Sequence, residues 1–253
     1  MKYSGLYFIP TSTNSPADSS TTLNALIPAL ESAFHTLSRT TPWSLTYRLF
    51  RDTPPRSDPS SDTPSYAHTY QHFLTLSSLS QNRAYVHLAP PPSRGPGTVA
   101  ALPAQQSEAQ ALLLRNQLAA LWSPRHTLSV QNGATYAGGL FTVQIGELRA
   151  LREGQSGGVS SPGVLVCIST VAGIEEGVAE GNGAAHGAAA EEDEVDFGFA
   201  QATIREFWEK LKEGRDLGRS EVKAVLMVPK GRGLGEEEEA AVRMWCEVLR
   251  LRG

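Results

Sequence analysis

Thr41-Pro42-Trp43-Ser44-Leu45-Thr46-Tyr47-Arg48-Leu49-Phe50-Arg51 opens on a Pro-Trp-Ser start and then alternates strictly. Trp43, Leu45, Tyr47 and Leu49 fall on one face, and Ser44, Thr46 and Arg48 on the other. A period of two sends one row of side chains into a core and the other away from it, so the stretch reads as a half-buried β-strand. It stops at Asp52-Thr53-Pro54-Pro55, turn residues that open a Pro/Ser/Asp loop running to Pro64. Tyr66, His68, Tyr70, His72, Leu74 and Leu76 then alternate with Ala67, Thr69, Gln71, Phe73 and Thr75, and Arg83 to Leu88 returns at hairpin distance. The last two of these strands therefore read as a hairpin.

Working outward, residues 4–10 read as a strand, and Thr98–Leu102, Arg125–Gln131, Leu140–Arg149 and Val164–Thr170 as others. Val164-Leu165-Val166-Cys167-Ile168 has no alternation, which predicts a strand covered on both faces. Glu221–Val228 is a further strand candidate. Leu23, Leu26, Ile27, Leu30, Phe34 and Leu37 recur at helical spacing, giving a helix over about 21–38 that Pro28 delays or kinks. Ser107-x-x-Gln110 has the form of a capping box and opens a helix over 107–121 with Ala111, Leu114, Leu118 and Leu121 on one face. Phe197, Ala200, Ile204, Phe207, Trp208 and Leu211 make another stripe, and Glu236–Glu239 begins a last helix over 237–251 with its acids first and its bases late. Many short strands with Pro/Gly turns and no β-helix-β rhythm predict an α+β fold. Its antiparallel sheet is expected to form a closed or nearly closed β-barrel flanked by a few helices. All 253 residues are expected to form a single domain. Residues 173–194, Gly/Ala-rich and then acidic, are expected to be a disordered insertion.

The net charge of −4 and the scattered arginines argue against a protein whose main task is neutralising phosphates. Cys167 and Cys246 sit in apolar runs, as core thiols of a reducing compartment do. No secretory leader and no membrane-spanning run is visible, so the expectation is an intracellular soluble protein.

Catalytic motifs fail on context. Gly154-Gln155-Ser156-Gly157-Gly158 fits G-x-S-x-G, but a nucleophile elbow needs a helix after it, and Ser160-Ser161-Pro162-Gly163 leads into a strand. His68 and His72 are four apart; on a strand that is roughly 13 Å, beyond one ion with bonds of about 2 Å. Gly231-Arg232-Gly233-Leu234-Gly235 lacks the G-K-[ST] ending of a phosphate loop and precedes four glutamates. A barrel phosphohydrolase would need several inward carboxylates, and among the strands 43–51, 66–76, 83–88, 140–149 and 164–170 only Glu147 is acidic. No catalytic residue, cofactor or metal ligand is assigned. A barrel hydrolase, a nucleic-acid-binding module and an autonomous ligand carrier are the competing classes.

The N-terminal Leu6-Tyr7-Phe8-Ile9-Pro10 strand, Pro42-Trp43-Ser44-Leu45-Thr46-Tyr47-Arg48, Leu118-Ala119-Ala120-Leu121-Trp122-Ser123-Pro124-Arg125 and Phe141-Thr142-Val143-Gln144-Ile145-Gly146-Glu147-Leu148 occur in that order. Together they resemble Mediator subunit 20, over about 1–170 and again at Phe207–Leu211 and Cys246–Leu251. The resemblance implies a non-catalytic nuclear subunit of the Mediator head module that supports RNA polymerase II transcription. It also implies a direct partner, a related barrel of Mediator subunit 18, and a tether through subunit 8 to other head-module subunits. No direct contact with nucleic acid or membrane is implied. For the partner interface the sequence offers Arg48 and Phe50, which point away from the Trp43 face, and Leu140 and Leu148, which point away from Phe141, Val143 and Ile145. A covering helix is the other explanation for Phe50.

Overall fold

The computed structural model describes residues 1–11, 16–54, 66–151, 159–171, 188–215, 217, 221–228 and 234–250. The chain begins with β1 (Lys2–Pro10), α1 (Pro16–Ala33), β2 (Ser38–Arg39) and β3 (Trp43–Asp52). It continues through β4 (Tyr70–Leu76), β5 (Arg83–Ala89), β6 (Thr98–Pro103) and α2 (Ser107–Leu112). The long strands β7 (Trp122–Gly138), β8 (Phe141–Leu151) and β9 (Val159–Val171) follow, then α3 (Ala188–Lys212), β10 (Lys223–Leu226) and α4 (Leu234–Leu249). The strands make one sheet in the order β10-β1-β9-β8-β7-β3-β4-β5-β6, with β2 joined to the side of β7. Every pairing among them is antiparallel.

Alternation along β3 sorts its side chains as the sequence predicts. Trp43, Leu45, Tyr47 and Leu49 enter one core with Leu6, Leu74, Leu128, Leu165 and the α4 residues Trp245, Val248 and Leu249. The opposite face of the sheet is divided between two covers. Over β1, β7, β8 and β9, helices α1 and α3 bury Tyr7, Val143, Ile145, Val166 and Ile168 beneath Leu26, Leu30, Ile204 and Phe207. Over β3 and β4, helix α2 covers Phe50 and Phe73 with Ala111 and Leu114. β9 is buried on both sides, as its unbroken apolar run requires.

The expected barrel does not close. The sheet curls into an open half-barrel, and its end strands β10 and β6 are not partners. α4 touches β1 and β10 at one end of the sheet and β4, β5 and β6 at the other, so it lies in the trough. A helix with its side chains is about 10–12 Å across, whereas paired strands sit about 4.8 Å apart. Holding α4 inside keeps the two edges out of hydrogen-bonding range. In β7 the pairing register shifts between Ser129 and Ala134, and Asn132 takes a positive φ of 55°. This bulge bends the strand and lets the sheet coil.

Element ends differ from the sequence reading for local reasons. β4 starts at Tyr70, because Tyr66 and His68 turn aside to Asp52. α1 starts at Pro16 and retains Pro28 inside it. Ser107 caps nothing with its side chain, since a 3-10 turn over Ala104–Gln106 leads directly into α2. That helix then widens into a π turn at Leu113–Gln117, which swings Leu121 off the buried face. Of the expected insertion, 173–187 lies outside the described residues, and 188–194 are the opening turns of α3.

Candidate functional site

The concave trough of the sheet, where a barrel would hold a ligand, is filled by α4. The ring of Trp245 lies 5.7 Å from that of Trp43, whose indole N–H donates to the Ile145 carbonyl at 3.2 Å. Gly133 and Gly146 make room for that indole: a Cβ on either would come within 3 Å of the Trp43 ring. The last turn of α4 exposes carbonyls that cannot bond within the helix. His126 Nε2 donates to Leu249 O at 3.1 Å, and Lys223 Nζ to Glu247 O at 2.6 Å. Arg243 donates to the carbonyls of Pro96 and Gly97, tying α4 to the start of β6. The Arg250 guanidinium lies 5.2 Å from the Tyr70 ring centre.

Beneath α4, Tyr47 OH and His72 Nδ1 are hydrogen-bonded at 2.8 Å, and the His72 and His87 rings stack at 5.1 Å. Burial, with the neighbouring His87, Arg250 and His126 charges, pushes His72 down to about 3. Burial also lowers His87 and His126, although hydrogen bonds to the Pro96 and Leu249 carbonyls partly oppose it. These imidazoles are therefore neutral at pH 7 and are committed to packing. Burial pushes the Tyr47 phenol well above its ordinary range and the Cys167 thiol up to about 11; Cys246 is also raised. Tyr47, Cys167 and Cys246 therefore stay protonated near neutral pH, and the three imidazoles are held in hydrogen bonds to Tyr47, Pro96 and Leu249. Among the described residues no group of three His, Cys, Asp or Glu side chains could hold a metal ion.

Glu147 projects from the opposite face of the sheet. Burial acts to raise it, but hydrogen bonds from Ser19, Ser161 and Arg149 outweigh that and hold it below the usual carboxylate range. His68 and His72 are not brought together: His68 Nδ1 is 2.9 Å from Asp52 Oδ1, outside the trough. Gly154-Gln155-Ser156-Gly157-Gly158 lies outside the described residues; Leu151 and Val159 on either side pair antiparallel, so a strand follows the motif. Residues 231–233 lie outside the described residues, and Gly235 is in the first turn of α4.

The four residues predicted for a partner interface separate into two pairs. Phe50 is 3% exposed under α2, and Leu148 is 0% exposed in the trough core, so the chain's own helices enclose both. Leu140 stands 65% exposed at the turn between β7 and β8. Arg48 is half-buried beside Glu108, with which it forms an ion pair. Arg48 also borders a groove of about 200 Å³ between α2 and the sheet, together with Glu108, Leu112, Arg115, Thr127 and Leu151. Leu112, Leu121 and Leu151 are exposed there or nearby. The sequence reading missed them, because Leu121 shares a helical stripe with Leu114 and only the π turn separates them.

The described residues thus form an open antiparallel half-barrel whose trough is filled by its own helix, with Leu112, Leu121, Leu140 and Leu151 exposed outside it. The family model described as the TATA-binding related factor (TRF) of subunit 20 of Mediator complex matches residues 1–231. The chain belongs to the Mediator subunit 20 family, and its setting is transcription. The match ends just before α4. No curated protein sequence matches the chain. The PH1819 protein of Pyrococcus horikoshii OT3 is similar in structure at a TM-score of 0.38 and 11% identity, covering 88% of this chain and 93% of that one. A conserved hypothetical protein from Pyrococcus furiosus scores 0.40 at 11% identity, covering 88% and 95%. The PH1012 protein of Pyrococcus horikoshii OT3 scores 0.39 at 9% identity, covering 88% and 94%. Likeness at this level says nothing about function.

Proposed function

We propose that this chain is a non-catalytic, architectural subunit of the Mediator head module in the nucleus. In this reading it pairs directly with a subunit-18-like barrel and, through subunit 8, joins the other head-module subunits. The match of residues 1–231 to the subunit 20 family carries the reading. The filled trough supports it. A carrier would need the space that α4 occupies, and a tunnel hydrolase would need carboxylates where Leu45, Tyr47, Leu74 and Leu128 stand. Arg48 and Leu140 are the predicted interface residues that a partner can reach. Hot spots are enriched in Trp, Tyr and Arg, which favours Arg48 over Leu140 as the anchor.

Co-expression with a subunit-18-like protein, followed by size-exclusion chromatography, tests the pairing. The two chains are expected to elute together at equal stoichiometry. Replacing Leu140 with Asp, or Arg48 with Glu, is expected to weaken the complex while the melting curve of the isolated chain is kept. Separate elution of the unmodified pair would refute the direct contact.

A further inference from the structure

We infer that the outer edge of β6 is a strand-acceptor site, which takes an extended segment of a partner subunit as an additional strand of the sheet. The inference rests on the heteromeric reading above and adds a contact to it.

The hydrogen-bond parity of β6 follows from one contact beyond its end. Ala104 N–H donates to Asn82 O at 2.9 Å, which continues the register Arg83↔Pro103, Ala84↔Leu102 and Val86↔Ala100. In an antiparallel ladder, residues alternate between facing the neighbour and facing away. Since residue 104 faces β5, so do Leu102, Ala100 and Thr98, while Val99, Ala101 and Pro103 direct their backbone groups outward. Pro103 fits this assignment, because it has no N–H to offer a ladder. Among the described residues nothing bonds the outward N–H and C=O of Val99 or Ala101. Ala101 and its neighbour Ala100 are solvent-exposed.

An edge of this kind is normally blunted by charge, shortness, a bulge or a cover. β10, at the other end of the sheet, has two of these devices: it spans four residues and begins with Lys223. β6 carries only Pro103, at its end; along Thr98-Val99-Ala100-Ala101-Leu102 no side chain is charged and the register is unbroken. Among the described residues it is occupied only at its entry, where Arg243 takes the Gly97 carbonyl.

Two donors and two acceptors, spaced about 7 Å apart along the edge, can be satisfied together only by another extended backbone. The occupant is a segment of a partner subunit rather than a second copy of this chain. Two facing copies of β6 would share only the Val99 and Ala101 pairs, far short of the roughly 800 Å² per partner that a stable dimer buries. A segment already tethered by a larger interface gains from the same few bonds, because its effective concentration is high.

Amide hydrogen exchange on the full chain, alone and in its purified heteromer with a subunit-18-like protein, reads the edge directly. The amides of Val99 and Ala101 are expected to exchange quickly in the free chain and about tenfold or more slowly in the heteromer. Those of Ala100 and Leu102 should be slow in both. An Ala101→Pro variant, which removes an outward donor and leaves the β5 ladder intact, should keep its own melting curve and lose that protection at Val99. Fast exchange at Val99 and Ala101 in an intact heteromer would overturn this inference and leave the pairing standing. Protection that rises with the concentration of the free chain would also overturn it, in favour of a second copy. Failure to form any heteromer would remove the reading on which it rests, and the inference with it.

Discussion

Trp43 is held from four sides. The Ile145 carbonyl takes its indole N–H, Trp245 packs on its ring, and Gly133 and Gly146 lie where any side chain would strike it. A methyl at residue 133 would approach the indole to 2.4 Å, and the indole is too constrained to retreat. Gly133→Ala should cost about 1–3 kcal/mol, as overpacking does. A shift in the urea midpoint measures it, and an unchanged midpoint would show that the indole moves. The buried histidines make a second prediction at this scale. His72 in the fold resists protonation until about pH 3, whereas unfolded it takes a proton near 6.5. Its folded pKa is depressed, so its contribution is complete above pH 6.5 and is lost as the pH falls toward 3. Asp52 and Glu147 are held below their ordinary values and stay ionised in the upper part of that window. Between pH 6.5 and 5 the loss therefore belongs to the histidines, at about 2 kcal/mol for His72 alone. Urea unfolding at pH 7 and pH 5 should show that difference, and His72→Phe should reduce it. Equal stability at the two pH values would contradict the assignment.

α4 is the element on which the trough depends. Its Trp245, Val248 and Leu249 are as deeply buried as the sheet residues they meet. Trp245→Ala should cost about 3–5 kcal/mol, the usual penalty for an aromatic lost from a core. Leu140→Ser, at an exposed turn, should stay within about 0.5 kcal/mol. Thermal melts of the two variants compare an interior plug with an exposed turn, and equal melting temperatures would mean that α4 is not the plug. Period-two alternation made β3 and most of β4 legible in the sequence, hairpin spacing did so for β5, and an unbroken apolar run for β9, covered on both faces. Long-range placement was not legible. Whether α4 lies inside or outside the sheet depends on contacts between residues such as Trp43 and Trp245, far apart in the chain, and local periodicity is the same either way. The barrel was expected to close because alternating strands do not record what occupies the interior.

At the scale of the whole molecule, the same ambiguity explains the divided fate of the predicted interface. Leu140 and Leu148 looked like surplus apolar surface on β8, and Phe50 like an aromatic without cover. Three covering elements, α1 with α3 on one side and α2 beside them, together with the plug α4, account for Leu148 and Phe50 without any partner. Arg48 and Leu140 remain where another protein can reach them. The order of motifs from Leu6 to Leu148 identified the family because sequence order is preserved where packing detail is not visible. If the proposal holds, this chain travels with the other subunits of the Mediator head. Affinity purification of the chain from nuclear extract, followed by quantitative mass spectrometry, decides this. The expected result is recovery of Mediator head subunits at equal stoichiometry, a subunit-18-like protein among them. Recovery of the chain as a lone monomer, with no Mediator subunit at any salt concentration, would contradict it.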